Sequence, residues 1–410
     1  MNICFLSWLP IKPNKGGIER VTYILAKEFR KAGNNVFYIS TTPDHETGVT
    51  TDLPGLQQYC LDPNRDSFYD DFIKIILSNK TDVIINQFMT PESFRLLDSL
   101  KKKRGPQTPV IINVLHNRPF YTAGLGKIFK KLTYPTTLKG KILKIIGTVA
   151  PSFYAAQRIK DDKTRLTNFI TLSDRFFLLS DSFIPRLLSF LPRIDADKID
   201  AVNNPNTFAI DSNSTEKENL MIFVGRLEDP QKNVKGFIDV WEKFHQRNPS
   251  WNAVIVGDGP HRKIFEGYAS RKRVAHLEFA GNCANVKDYY QRAKLLCMPS
   301  IYEGWGMVLT EAMANECVPA AFDCYESVHD IIIDGKTGLL TKPFDTDQMA
   351  SRLSELANNE PLRKEIALKG AEHINTFDAT KIAAIWLDKL HHLLEKHGNM
   401  SREDTVTAER

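Results

Sequence analysis

Cysteine is scarce and scattered. The six thiols among 410 residues, Cys4, Cys60, Cys283, Cys297, Cys317 and Cys324, form no CxxC pair. That spacing argues against a disulfide framework or a zinc site and leaves reduced core thiols. Long apolar runs are also missing, and none reaches the ~20 residues needed to cross a bilayer, so no membrane-spanning helix is expected. Residues 2–9 have neither a basic lead nor a small-residue cleavage site. They read as a first strand, not a secretion signal, in a protein expected to stay in the cytosol. A net excess of either charge is nearly absent too, because 54 Lys and Arg face 49 Asp and Glu, a formal +5. That excess is too small to argue for a nucleic-acid partner.

The composition that remains, 42% hydrophobic and 25% charged, is that of a soluble globular protein. Its length exceeds one ordinary core and suggests two domains of roughly 200 residues each. The charge is uneven. Residues 118–160 carry Lys127, Lys130, Lys131, Lys139, Lys141, Lys144 and Arg158 without one Asp or Glu, interleaved with Phe120, Tyr121, Phe129 and Tyr134. Such a composition suits an anionic membrane surface. A solvated basic loop, or a guide for an anionic soluble acceptor, is the alternative.

Along the chain, short β-branched or apolar runs alternate with helical patterns. Residues 3–6 and 35–39 flank a helical pattern that follows Gly16-Gly17, a pair placed where backbone can approach phosphate. Residues 83–85 and 110–114 flank another helix, and the sheet is expected to be parallel and doubly wound. His116 follows the second of these runs, at the carboxyl edge where open α/β sheets bind ligands. Residues 169–173 and 176–180 are expected as strands, the latter leading into a helix capped by Ser180 or Asp181. Asp195-Ala196-Asp197 could tempt a metal-dependent reading, but it sits in a polar connector and is expected as a turn. An Asn/Ser/Thr-rich linker over 204–219 separates domain 1–203 from domain 220–379. Residues 380–398 form an amphipathic helix expected to pack back on the first domain, and 399–410 read as a disordered tail.

The second domain restarts the pattern. Residues 220–224 form a strand that leads to Arg226 and Lys232, two cations on one strand-to-helix connection that can converge on a diphosphate. Gly257 and Gly259 mimic a dinucleotide fingerprint, but Pro260 follows where G-x-G-x-x-G would open a helix, which argues against NAD. The organising stretch is residues 299–314. A buried strand over 293–298, a loop with Glu303 and Gly304, and a helix from Met307 place Gly306 where a ligand can reach the main chain. Glu303 lies in the loop and Glu311 more than a turn inside the helix, so the two carboxylates are expected to do different jobs.

Glu303, seven intervening residues and Glu311, with Gly304-Trp305-Gly306 between them, resembles the signature of retaining glycosyltransferases of family four. Gly225-Arg226-Leu227 with Gln231-Lys232-Asn233 resembles that family's paired phosphate-binding residues. The resemblance implies an α/β GT-B architecture, with two Rossmann-like doubly wound domains facing an interdomain cleft. It implies that Gly16 and Gly17 face the donor phosphates and acceptor, that His116 touches the donor sugar, and that Asn285 and Val286 lie in the base-binding loop. Arg226, Lys232 and the Gly306, Met307, Val308 and Leu309 backbone would stabilise the leaving diphosphate. Glu303 would position the sugar, and Glu311 would accept from the ribose hydroxyls. The sequence departs from the pattern near Tyr325 and Glu326, where many relatives place glycines.

The reading is a cytoplasmic, metal-independent retaining hexosyltransferase with no cofactor, with residues 118–160 as the candidate for docking on the inner face of the cytoplasmic membrane. It would use a nucleotide-sugar donor, UDP favoured over GDP, and a glycan or lipid-linked acceptor in polysaccharide or lipopolysaccharide synthesis. The competing readings are a sugar-nucleotide epimerase, a phosphorylase of the same architecture, and a non-catalytic nucleotide-sugar-binding protein.

Overall fold

The computed structural model describes residues 1–12, 16–42, 56–102, 108–117, 151–210, 216–228 and 230–408. Most of the basic segment, 118–150, and the middle of the expected linker, 211–215, lie outside them. The chain divides into two compact units. One holds Met1–Pro119, Asp162–Pro205 and Phe377–Arg410, and the other is built around Asn206–Thr376.

The first unit carries strands β1 (Asn2–Ser7), β2 (Asn35–Ser40), β3 (Gln57–Cys60), β4 (Val83–Asn86), β5 (Val110–Val114), β6 (Arg175–Leu178) and β7 (Ile199–Ala201), in the order β3-β2-β1-β4-β5-β6-β7. The second carries β8 (Glu218–Val224), β9 (Asn252–Val256), β10 (Leu277–Gly281), β11 (Ala293–Met298), β12 (Val318–Phe322) and β13 (Leu339–Thr341), in the order β10-β9-β8-β11-β12-β13. Every pairing between these strands is parallel. Both units therefore have the expected doubly wound α/β topology. Each order reverses once, between β1 and β4 and between β8 and β11, and ligands bind such sheets outside the carboxyl ends of the strands at that reversal.

The central strands, such as β1, β4 and β5, are apolar on both faces because helices cover both, as parallel sheets require. Asn86 and Asn113 break that rule. They are register partners at the ends of β4 and β5, both fully buried. Asn86 Nδ2 donates to Asn113 Oδ1 at 2.6 Å, Asn113 Nδ2 donates to Ser173 Oγ at 2.7 Å, and Ser173 Oγ donates to the Phe169 carbonyl at 2.6 Å. A buried polar ladder is tolerable when its donors are satisfied in this way.

One expected strand is a helix. Residues 169–172 close the helix Pro151–Leu172, because Leu166, Phe169 and Ile170 bury one face at helical spacing while Thr171 is exposed. A short apolar run is ambiguous between the two structures, and the longer helical frame decides it. At residue 181 a 3-10 turn, Asp181–Phe183, precedes the helix Ile184–Phe190, and Ser180 caps the turn by accepting from Ser182 N. The last helix, Ala379–Ala408, lies on the first unit. There the Trp386 ring stands 4.7 Å from that of Phe177 and Lys389 pairs with Asp200 at 2.8 Å. Its backbone runs on past Asn399, through residues the sequence marks as a tail, with no proline to stop it.

In the second unit, the helix Val234–Arg247 buries Phe237, Val240, Trp241 and Phe244 against the sheet. Trp241 Nε1 donates to the Ala275 carbonyl at 2.9 Å, so its one polar group is not stranded. On the opposite side Lys217 reaches inward. Its ammonium donates to the carbonyls of Tyr290, Gln291, Ala293 and Asn315 at 3.2, 3.1, 2.9 and 2.7 Å. Burial pulls its pKa below the usual lysine range, with Cys317 and Glu316 opposing.

Candidate active site

At the reversal in the second sheet, the segments after β8 and β11 are stitched together. Asn233 adopts the left-handed conformation (φ 48°) ahead of the helix Val234–Arg247, accepts from Gly236 N, and donates through Nδ2 to the Pro299 carbonyl at 3.0 Å. Ile301 N donates to the Gln231 carbonyl at 2.8 Å. This stitching sets Lys232 against Glu303, Nζ to Oε1 at 2.7 Å, while Gln231 Nε2 donates to the other carboxylate oxygen at 3.1 Å. The Glu303 side chain is only 8% exposed and that of Lys232 20%. Arg226 stands differently: exposed, with Nε 2.9 Å from Glu228.

Gly306 has φ +96° and leads the helix Met307–Met313. Glycine is required there twice over, for the positive φ and because an added Cβ would lie 2.9 Å from the Tyr325 hydroxyl. Leu309 N donates to the Gly306 carbonyl at 2.8 Å. Its amide therefore already has a backbone acceptor. Met307 and Val308 are half-buried at the head of the helix.

Glu311 is buried at 3% exposure. It accepts from Thr207 Oγ1 and Tyr290 OH, both at 2.8 Å. These two bonds fix the direction of the carboxylate. Asn285 is exposed and donates to Asp288 Oδ1 at 2.7 Å, while Val286 opens the helix Val286–Arg292 that carries Tyr290 inward to Glu311.

In the first unit His116 is half-buried beyond β5, and its Nε2 bonds to Gln87 Oε1 beyond β4. Because an amide oxygen only accepts, Nε2 carries the proton and Nδ1 is the acceptor; Nδ1 is buried without a protein partner among the described residues. Burial pushes the His116 pKa down to about 4. Folding therefore lowers this pKa, and between pH 6.5 and 4 the native state binds fewer protons than the unfolded chain. The neutral imidazole's stability is fully present above about pH 6.5 and is lost as pH falls towards 4. Replacing His116 with Asn is expected to flatten the decline in unfolding free energy between pH 7 and 4.5 by up to about 3 kcal/mol. Denaturant titrations at the two pH values check this, and equal slopes in both proteins would refute it.

Gly16 is extended at φ −170° before the helix Gly17–Lys31, so only its missing side chain matters. A Cβ there would lie 2.4 Å from Glu19 Oε2. This helix start already holds a carboxylate of its own, which the sequence pattern did not reveal. Gln87, Thr207 and Tyr290 are not singled out by the sequence, and Gln231 only as the neighbour of Lys232; Gln87 follows a strand end, a weak signal, and Thr207 and Tyr290 have none. Among the described residues no group of three or more His, Cys, Asp or Glu could hold a metal. Asp195 accepts from Asp197 N at 3.0 Å, the turn expected of it. Among these residues no helix is long and apolar enough to cross a membrane.

Residues 206–373 match the model of the family described as glycosyl transferases group 1. Over 401 residues the chain is 26% identical to the GalNAc-alpha-(1->4)-GalNAc-alpha-(1->3)-diNAcBac-PP-undecaprenol alpha-1,4-N-acetyl-D-galactosaminyltransferase of Campylobacter jejuni, covering 93% of this chain and 97% of that one. It is 28% identical over 200 residues to the phosphatidyl-myo-inositol mannosyltransferase of Mycobacterium tuberculosis, covering 45% of this chain and 52% of that one. Among solved structures, S. aureus TarM in complex with UDP superposes with a TM-score of 0.71 at 14% identity, over 95% of this chain and 100% of that one. Sucrose-phosphate synthase from Thermosynechococcus elongatus gives 0.73 at 17% identity, over 97% and 100%. These likenesses carry the GT-B fold, and residues 206–373 resemble the glycosyl transferases group 1.

Proposed function

We propose that the protein is a retaining glycosyltransferase of family four that moves a hexosyl group from a UDP-sugar to a glycan or lipid-linked acceptor. The acceptor would be presented at the cytoplasmic face of a membrane during cell-surface polysaccharide synthesis. The observation that carries this reading is the Glu303 carboxylate held by Lys232 and Gln231 at the sheet reversal, inside the segment that matches the family. The printed names of the relatives, one acting on an undecaprenol-linked glycan and one on phosphatidyl-myo-inositol, support a lipid-linked acceptor.

As the glycosidic bond breaks, negative charge gathers on the departing diphosphate. Lys232, Arg226 and the Met307 and Val308 amides are assigned to that charge, because preorganised donors aimed at developing charge lower the barrier most. Glu303, already oriented, positions the sugar. Glu311 is assigned to the ribose hydroxyls, with Tyr290 and Thr207 keeping it in place, and Asn285 and Val286 to the base. His116 is assigned to the sugar as a neutral acceptor through Nδ1, and Gly16 and Gly17 to the acceptor side. No metal cofactor is assigned, since Arg226 and Lys232 are given the charge that a metal would neutralise.

The test is a nucleotide-release screen of UDP- and GDP-sugars with lipid-linked and soluble acceptors, products read by mass spectrometry, with and without EDTA. We expect acceptor-dependent release of UDP, an unchanged anomeric configuration and no effect of EDTA. An isomerised nucleotide sugar without acceptor would point to an epimerase. Phosphate-dependent turnover would point to a phosphorylase, and donor binding without turnover to a non-catalytic protein. Loss of activity in EDTA, restored by Mg²⁺ or Mn²⁺, would overturn the metal-free reading. Running the lipid-linked acceptor on anionic and on neutral vesicles tests the membrane role of residues 118–160; equal turnover on both would remove it.

A further inference from the structure

The loop after β12 leaves one polar group unexplained. Tyr325 is 3% exposed, and its hydroxyl has no hydrogen-bond partner among the described residues. Its neighbours are tied down: Cys324 Sγ donates to the Ser300 carbonyl at 3.1 Å, and Ser327 Oγ to the Gly304 carbonyl at 2.9 Å. These two bonds pin residues 324–327 to the loop that carries Glu303. The hydroxyl itself comes to rest over Gly306, 2.9 Å from where a Cβ would stand.

Glu303 would be the natural acceptor for it, yet its oxygens accept from Lys232 and Gln231 and neither bonds to the hydroxyl. Burial, then the Glu303 carboxylate and Cys324, push the phenol well above its ordinary pKa, so it remains a protonated donor. A buried donor without an acceptor lowers the stability of the free protein. Such an arrangement makes sense if a ligand brings the acceptor.

We propose that Tyr325 is a specificity-determining residue for the transferred sugar: its O–H donates to a neutral oxygen of that sugar beside Glu303 and Gly306. This inference rests on the glycosyltransferase reading and deepens it. The partner is a sugar oxygen and not the diphosphate, because the hydroxyl sits next to a carboxylate whose charge Lys232 balances only once. The departure from glycine at this point in the sequence thereby gains a role. A glycine there supplies no donor, whereas Tyr325 admits sugars that offer an oxygen at its hydroxyl and disfavours those that do not, as a site built around a hydrogen bond discriminates.

Tyr325→Phe isolates the hydroxyl while keeping the ring. Melting temperatures and dissociation constants are measured for the full chain, wild type and variant, alone and with UDP, UDP-glucose, UDP-galactose, UDP-N-acetylglucosamine, UDP-N-acetylgalactosamine and GDP-mannose. We expect the free variant to melt at the wild-type temperature or above. The nucleotide sugar that binds wild type best should bind the variant about tenfold more weakly, and UDP equally well. A lower melting temperature for the free variant would mean that the hydroxyl has an internal partner, and the proposal fails. It fails as well if UDP and the nucleotide sugar weaken alike, or if neither changes. If no nucleotide or nucleotide sugar binds wild type, the glycosyltransferase reading itself falls, a result distinct from every other.

Discussion

Replacing Lys232 with alanine is expected to lower kcat/KM by about 10²–10³, the effect of removing one preorganised donor from a developing charge. The ammonium already lies in the site at 20% exposure, 2.7 Å from Glu303, so it needs little reorganisation to serve a departing diphosphate. Removing it also leaves Glu303 charged and nearly buried with only Gln231 for company. Taking one partner from a buried pair is destabilising, so melting temperature should fall together with turnover. The double variant Lys232→Ala, Glu303→Gln separates the two effects, because it relieves the stranded charge without restoring a cation. Stability should return and turnover should not. Arg226→Ala should reduce turnover with little change in stability, since its side chain is 69% exposed. Near-wild-type turnover of Lys232→Ala at saturating donor would reject the assignment.

Lys217→Met is expected to destabilise the second unit by about 2–4 kcal/mol, roughly 5–10 °C in melting temperature. Methionine keeps the stem and removes the donors, which strands the carbonyls of Tyr290, Gln291, Ala293 and Asn315. The loss should reach the ligand as well. Tyr290 holds Glu311 through its hydroxyl, and Asn315 Nδ2 donates to the Glu311 carbonyl at 2.8 Å, so nucleotide affinity should weaken in parallel. Arginine should not rescue it, because a planar guanidinium cannot aim donors at carbonyls gathered around a point. Calorimetry with and without UDP decides the matter, and an unchanged melting temperature for Lys217→Met would show that the four bonds carry no net stability.

Much of the fold is legible in the sequence for a simple reason. Parallel strands buried on both faces, such as 83–86 and 110–114, must be continuous apolar runs, and the helices between them show their own period. Residues 169–173 escape this logic because five residues cannot display a helical period. The site divides in the same way. Lys232, Glu303 and Glu311 stand out by local pattern, but the pairing of Lys232 with Glu303, 71 residues apart, depends on β8 and β11 being neighbours, which sequence order does not state. Thr207 meets Glu311 across 104 residues with no local mark. Tyr325 is visible only as a departure from expectation, and its unpaired hydroxyl only in three dimensions.

The Asn86–Asn113 ladder also bears on how this protein can change over time. The shortest side-chain bonds of the two asparagines are to each other and from Asn113 to Ser173, so an apolar substitution at one position weakens the satisfaction of a buried amide at the next. Single replacements should be costly, while joint replacement of all three by apolar residues of similar size should be far better tolerated. A lineage leaving this arrangement must therefore cross a less stable intermediate. Because the ladder sits at the ends of β4 and β5, just before Gln87 and His116, that barrier would hold the strand register, and the histidine's setting, in place.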